Sequence, residues 1–484
     1  MMDSEEDWGL LGCRLSRREL LQTGAFAMGA AGLGLAGCDE GEKATKGTPT
    51  PAGASPVAGA APTATPADSS IVRIGGNPEG IREVAPGTIF FPYFGNIIAL
   101  LTDEGIVIVD TSLQGNGPPI VEELRKRTDK PVHTVVYTHG HYDHVGGAAA
   151  FLEDAQQRGH PRPRVVAHAR VPDRFRRYER MAGWTKFINS IQFGVPIEPD
   201  FEPPPTPVFV YPDETYGDRM TLKVGGETFE LVHGIGETDD HTWVHAPERD
   251  LVCAGDFFIW ACPNVGNPWK VQRFAEGWAE GLEAMAGVRP SLLLPGHGAP
   301  IEGEEDVQTK SLNVARYLRS IHDQVMERMN RGQWLEQILR EVEPPADLVA
   351  EPYLAPIYGH PKFIVHGVWR QYGGWYDGDP AHLKPAPARA LAEELASLAG
   401  GAARLAERAL EVAEAGDLRL AGHLAELAAQ AAPDDKGVHA ARADVFGRRA
   451  DAERSTMSKG VFQWAADESR QRSDPSTPAE RQAT

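Results

Sequence analysis

The chain has 484 residues and carries 68 acidic against 48 basic side chains, a formal net charge of −20. That excess argues against nucleic acid as a partner and against electrostatic adhesion to anionic lipid, so membrane contact would need an anchor. The length suffices for one large α/β domain followed by a helical one, and four cysteines imply no disulfide scaffold.

Residues 1–38 read as a signal segment. Ser16-Arg17-Arg18-Glu19-Leu20-Leu21 resembles a twin-arginine export signal, although an ordinary secretory signal can carry the same Arg-Arg pair by chance. The uncharged run from Gln22 to Gly37 is too short to span a bilayer. It ends in Leu35-Ala36-Gly37-Cys38, which resembles a bacterial lipobox. This implies cleavage before Cys38, acylation of its sulfur, and a lipid-anchored protein at the cell envelope of a bacterium, facing the periplasm or the exterior. Residues 39–70 are Ala, Pro, Thr and Gly with almost no large apolar side chains, and are expected to form a disordered tether. Cys13 belongs to the signal, which leaves Cys253 and Cys262 in the folded part. Cys253 reads as a small buried residue, and spacing alone leaves open whether the two pair.

From residue 71 the pattern turns to β-branched runs. Ile106–Asp110, His133–Tyr137, Arg164–His168, Thr221–Val232 and Thr242–Val244 read as strands, and Gly117–Thr128 and Gln272–Gly287 as helices. Two mixed sheets flanked by helices are expected. Directly after the His133–Tyr137 strand come Thr138-His139-Gly140-His141-Tyr142-Asp143-His144-Val145-Gly146-Gly147. His139 and His141 are two apart and can turn to one metal, while Asp143 and His144 face a second; zinc takes ligands of this kind. The plain alternative is a set of solvated loop histidines. Against it stand further donors downstream in a consistent order: Glu237 in a glycine-bearing loop, Asp256 at the end of Leu251-Val252-Cys253-Ala254-Gly255, and His297 after Leu292-Leu293-Leu294-Pro295-Gly296.

This H-x-H-x-D-H stretch, with its partners, resembles the metallo-β-lactamase superfamily from about Ile71 to Gly303. The resemblance implies an α/β fold, the αββα sandwich, over residues 71–305. It also implies two metal positions: His139, His141, Glu237 and Asp256 for one, and Asp143, His144, Asp256 and His297 for the other. Two zinc ions are expected, with iron or manganese as alternatives because of the added oxygen ligands. Asp143 and Asp256 would hold the catalytic cluster, whose bridging water would be the nucleophile or its source. Asp110 would orient a ligand histidine. Most of the superfamily carries a histidine where Glu237 stands; its alkylsulfatases share the glutamate, but commonly bridge with a second glutamate, where this chain has Asp256. His233 and His241 flank Glu237 and would either replace it or orient the ligands.

Charge bookkeeping narrows the substrate. Two divalent ions, three carboxylates and a hydroxide sum to about zero, so an anionic substrate would need basic side chains to hold it. Asn264, Lys270 and Arg273, just past the Asp256 strand, are the candidates to clamp a sulfate group. In the bland alternative, Lys270 and Arg273 are a solvated helix start, and Trp260 and Trp269 are packing residues.

After Gly303 a helical segment from Val307 to Glu341 leads to Tyr372-Gly373-Gly374-Trp375-Tyr376-Asp377-Gly378-Asp379-Pro380, which resembles the stretch that follows the metal domain in alkylsulfatases. His360, His366 and Arg370 lie before it; any of them could reach the active-site mouth, with surface or packing roles as the simpler reading. From Ala386 to about Arg470, helical spacing is broken at Gly400-Gly401, Gly416-Asp417 and Pro433-Asp434-Asp435, which predicts helical hairpins. Leu391, Leu395 and Leu398 share one face, as do Leu405, Ala409 and Val412, and both stripes read as packing surface. Ala415-Gly416-Asp417-Leu418-Arg419-Leu420-Ala421 resembles the tetratricopeptide-like dimerisation domain of alkylsulfatases. Residues 306–470 are therefore expected to be an all-α dimerisation domain that makes a homodimer. Residues 471–484 are expected to be a disordered tail, leaving no room for the sterol-carrier-like domain that ends many alkylsulfatases.

These features predict a dinuclear metal-dependent hydrolase of alkyl or aryl sulfate esters, acting on a small anionic organic substrate. The same site on carboxylic esters, thioesters, lactones or β-lactams is the alternative. A non-enzymatic metal-binding lipoprotein is the second.

Overall fold

The computed structural model describes residues 80–194 and 209–474. The signal, the tether, Cys38 and most of the expected tail lie outside the described residues. The first sheet takes its seven strands in chain order: β1 (Arg82–Ala85), β2 (Thr88–Phe91), β3 (Ile97–Leu101), β4 (Ile106–Val109), β5 (Val132–Val136), β6 (Arg164–His168) and β7 (Glu214–Tyr216). Strands β1 to β4 are antiparallel and β4 to β7 parallel. The change of direction follows the connections, since short turns join the first four strands. Longer crossovers then pass through α1 (Gly117–Arg125), and through α2 (Tyr142–Val145) and α3 (Ala148–Arg158).

The second sheet holds β8 (Arg219–Val224), β9 (Glu227–Gly234), β10 (His241–Ala246), β11 (Leu251–Gly255), β12 (Leu292–Pro295) and β13 (Ile301–Glu302), ordered β13-β12-β11-β10-β9-β8. Within it only β11 and β12 run parallel, joined through α6 (Ala275–Gly287), with α4 (Val171–Arg180) and α5 (Ala182–Gln192) lying earlier in the chain. Residues 221–232, expected as one strand, fold back on themselves. Val224 pairs with Glu227, and Gly225 and Gly226 between them take φ of 59° and 82°. A two-residue hairpin turn of that kind needs left-handed backbone at both positions, which glycine supplies without a Cβ clash.

Strand periodicity sorts the side chains into layers. On β4, Ile106 and Ile108 pack outward with Ile120, Leu124 and Phe151 of the helices, while Val107 and Val109 pack inward against Phe229, Leu231, Val244 and Leu294 of the second sheet. The outer face of the second sheet, with Val252, Ala254 and Leu293, packs on α6 and on α7 (Glu304–Asn330), α8 (Leu335–Glu341) and α9 (Pro361–Gly373). The result is the αββα sandwich.

Helix α7 ends before the expected helical segment does, because Gly332 (φ 76°) turns the chain between α7 and α8. The short α10 (Pro380–Leu383) leads into α11 (Ala388–Ala399), α12 (Ala402–Glu414), α13 (Leu418–Ala431), α14 (Lys436–Ala452) and α15 (Thr456–Ser473). Their breaks fall at the predicted glycine and proline positions, plus one more at Glu453–Ser455, where Ser455 caps α15. Leu405, Ala409 and Val412 are buried as expected. On α11, however, Ala392 and Ala396 face inward, and Leu391, Leu395 and Leu398 point outward, Leu398 with 78% of its surface exposed. Trp375 is also exposed; Tyr376 makes the packing contact instead, against Trp334 at 5.5 Å between ring centroids.

Candidate metal centre

The donors come from loops at one end of both sheets. His139, His141, Asp143 and His144 follow β5, Glu237 lies between β9 and β10, Asp256 follows β11 and His297 follows β12. Two glycines make the convergence possible. A Cβ at Gly296 would strike Asp256 Oδ1, and one at Gly95 would strike the Asp143 carbonyl. Asp110 sits below the loop with φ of 60°. Its carboxylate accepts from the Thr138 N–H and the Thr138 hydroxyl, both at 2.7 Å, and lies 2.7 Å from His144 Nδ1. A carboxylate accepts, so Nδ1 of His144 carries a hydrogen and Nε2 is the nitrogen left to a metal once its own proton is displaced. On the other side, Asp240 Oδ2 accepts from the Gly140 N–H at 3.3 Å and from Arg174 Nε at 2.6 Å, which fixes the turn between His139 and His141.

Two groups of donors result. One is His139, His141, Glu237 and Asp256; the other is Asp143, His144 and His297. Within each, the ligand atoms all lie within 4.8 Å of one another. Asp256 spans them, its Oδ2 being 3.7 Å from His139 Nε2 and its Oδ1 3.2 Å from His144 Nε2 and 3.5 Å from His297 Nε2. Glu237 Oε2 is buried and has no hydrogen-bond partner among the described residues, while His144 Nε2 and Asp256 Oδ1, also buried, face only each other and other atoms of the cluster. Buried polar atoms left unpaired are costly, and imidazole and carboxylate donors at this spacing suit a divalent cation. The residues present therefore fit a metal.

Burial and the neighbouring rings His144 and His141 push His139 well below its ordinary pKa, keeping it neutral as a ligand must be. Burial acts in the same direction on His297, but Asp256 and Asp143 outweigh it and raise that ring to about 10. His144 is raised well above its usual value by Asp256, Asp110 and Asp143, again against burial. Glu237 is pushed up to about 8, chiefly by burial and then by Asp256, although Arg273 opposes the shift.

The three residues expected to clamp a sulfate are placed unequally. Asn264 Nδ2 donates to Glu237 Oε1 at 3.0 Å, and Arg273 donates to the same oxygen, while Lys270 Nζ donates to Asn189 on α5 at 2.9 Å. The helix expected from Gln272 begins only at Ala275, so Arg273 is a buried loop residue rather than a solvated helix start. His241 lies outside both donor groups; its Nε2 accepts the Asp256 backbone N–H at 3.0 Å and so acts as an acceptor behind the cluster. His233 stacks on His168, 3.8 Å between centroids, and also lies outside. Arg370 bonds the Lys270 carbonyl and Gln272. Cys253 and Cys262 are both free and buried.

The metallo-β-lactamase superfamily model matches residues 91–297, and the alkyl sulfatase dimerisation model matches residues 335–472. The chain thus carries a metallo-β-lactamase domain followed by an alkyl sulfatase dimerisation domain. It is 27% identical over 363 residues to a linear primary-alkylsulfatase of a Pseudomonas species, covering 71% of this chain and 68% of that protein. Against an (R)-specific secondary-alkylsulfatase of Pseudomonas sp. the identity is 26% over 375 residues, 72% of this chain and 56% of that one. The solved structure of the stereoselective inverting sec-alkylsulfatase Pisa1 from Pseudomonas sp. aligns over 82% of this chain and 66% of its own, with a TM-score of 0.72 and 23% identity. The chain thus spans between about half and two thirds of the length of these alkylsulfatases. The residues that sequence patterns missed are those that act on the ligands from a distance. Asp240 and Arg174 lie on separate elements with no motif spacing. Gln192, Asn267 and Tyr358 are joined only by tertiary contacts.

Proposed function

We propose that the chain is a dinuclear metal-dependent hydrolase of alkyl or aryl sulfate esters. The observation that carries this is the convergence of seven buried or half-buried donors, with Asp256 facing both groups and Glu237 Oε2 buried without a hydrogen-bond partner among the described residues; the alkylsulfatase character of its relatives supplies the substrate class. His139, His141, Glu237 and Asp256 would hold one ion, and Asp143, His144, Asp256 and His297 the other, with zinc as the metal. Such ions supply an acidified water and stabilise charge on a departing oxygen. Asp110 and Asp240 keep the histidine loop in place, and Arg273 and Asn264 orient Glu237. Lys270, whose ammonium burial and then Arg273 lower to about 8, would be the cation for the anionic group. A homodimer through residues 335–472 and an envelope location through acylated Cys38 complete the proposal.

The test is hydrolysis by metal-loaded protein of an alkyl sulfate and of the acetate ester of the same alcohol, with metal content measured on the same sample. Turnover of the sulfate with about two equivalents of metal is expected. Turnover of the acetate alone would transfer the site to carboxylic esters, and inactivity on both with metal bound would revive a binding role.

A further inference from the structure

Three arginines of α4 and its N-cap line a cavity beside the histidine loop. Arg170, Arg174 and Arg177 stand four and three residues apart, the spacing that puts side chains on one helix face. With Asp173 and Asp239 they enclose a cavity of about 350 Å³. The same face of α4 packs on the loop that carries the ligands. Tyr178 stacks on Tyr142 with 4.6 Å between ring centroids, and a Cβ at Gly140 would lie 2.8 Å from Arg174 Cδ. The cavity therefore borders the turn between His139 and His141. Burial and then the charges of Arg174 and Arg273 hold the His141 ring well below its usual pKa. Arg177 acts in the same way on Lys270, after burial and Arg273.

The pairing inside this cluster is uneven. Asp239 accepts from Arg170 at 3.1 Å and from Arg174 at 2.6 Å, Asp240 accepts from Arg174, and Asp173 accepts from Arg176. Three guanidinium groups thus share two carboxylates. Arg177, half-buried with its guanidinium carbon 5.5 Å from the centre of the Tyr178 ring, forms no ion pair among the described residues. Helix stability does not account for the cluster either, since Arg170 takes the N-cap position of α4, where a cation opposes the helix dipole. The chain as a whole carries a net charge of −20 and repels an anion at a distance. Within a Debye length, about 8–10 Å at ordinary salt, the local cations decide instead.

We infer that this cavity is an anion-recruiting antechamber, in which Arg177, with Arg170 beside it, takes up the anionic group of the substrate on its way to the metal centre. Under the proposed activity, on which this rests, that group is a sulfate ester. For the metal-loaded parent, kcat/KM on an alkyl sulfate should fall as salt rises from about 10 to about 200 mM, because screening weakens the local attraction. Without the antechamber, the net negative chain would give a rise. Arg177→Gln should lower kcat/KM by about 3- to 5-fold at low salt, and Arg177→Glu by about 10-fold, with the salt slope reversed. Arg177→Lys should keep the parent's slope. Losses that persist undiminished at about 500 mM salt, or a Glu variant with the parent's slope, would overturn the inference. Metal content is measured on every sample, and Arg177→Gln carries the test should Arg177→Glu lose metal. If the parent has no activity on alkyl sulfates, the sulfatase reading fails separately. Calorimetry of inorganic sulfate with the metal-loaded parent and the Gln variant, across the same salt range, then decides the antechamber: weaker and less salt-sensitive binding in the variant supports it, and equal or absent binding sinks it.

Discussion

Arg273 donates to Oε1 of Glu237, and this leaves Oε2 of the same carboxylate buried without a hydrogen-bond partner among the described residues. Asn264 donates to Oε1 as well. Two side chains expected from the sequence to grip a sulfate are thus engaged on a carboxylate expected to grip a metal. Arg273→Ala should therefore lower metal retention as well as activity, by about 10- to 100-fold as for other groups that orient ligands. Sulfate and acetate esters should suffer alike. Metal analysis beside the two assays checks this; full metal with loss confined to the sulfate would make Arg273 a substrate clamp only.

Asp110 takes three donors at once, from the Thr138 backbone, the Thr138 hydroxyl and the His144 ring. In Asp110→Asn, one end of the side chain becomes a donor and must face one of them. The expected cost is about 1–3 kcal/mol in stability, with metal affinity reduced about 10-fold or more. Thermal melts of the metal-free variant and competition against a chelator measure the two effects separately.

The protonation of the metal-free site sets a pH dependence. With His297 raised to about 10 and His144 also raised, the ring protons stabilise the metal-free fold. This contribution is complete below the unfolded histidine value of about 6.5 and is lost as pH rises towards 10. Glu237, raised to about 8, still holds its proton at neutral pH. A metal must displace these protons. Metal uptake near pH 7 should release protons, and affinity should increase between about pH 6 and pH 8. Calorimetry in two buffers of different ionisation enthalpy reads the release directly, and identical heats in both would contradict it.

On the outer face of α11, Leu391, Leu395 and Leu398 are exposed, with 78% of Leu398 open to solvent. A homodimer that covers this stripe should be weakened by Leu398→Glu, while the inward Ala392 and Ala396 leave the monomer fold intact. Light scattering across a dilution series is the measurement. A variant with unchanged mass at every concentration would place the contact elsewhere.

Cys38→Ser removes the sulfur that an acyl chain would need. In a bacterial host the variant should move from the membrane fraction to the soluble fraction with its activity retained. Persistent membrane association would remove the anchor from the account of this protein.

The sequence by itself determined the donor set and the layer structure. His139 to His144 are close in the chain, and Glu237, Asp256 and His297 each sit just beyond a β-branched or apolar run, so period-two patterning and strand ends sufficed to locate them. Glycine and proline breaks likewise marked the helices from α11 to α14, but not the break at Glu453–Ser455 that separates α15. Tertiary structure alone decided the rest. Gly225-Gly226 turned one expected strand into two, because a run of alternating residues does not reveal left-handed backbone in its middle. The leucines of α11 point outward because both faces of that helix are apolar, and only packing chooses between alanine and leucine. Arg273 lies on Glu237, Asp240 on Gly140, and Gln192 on Tyr358, across gaps of 36, 100 and 166 residues. Such pairs share no spacing that a linear pattern could carry; they exist because buried polar atoms must find partners wherever the fold brings them.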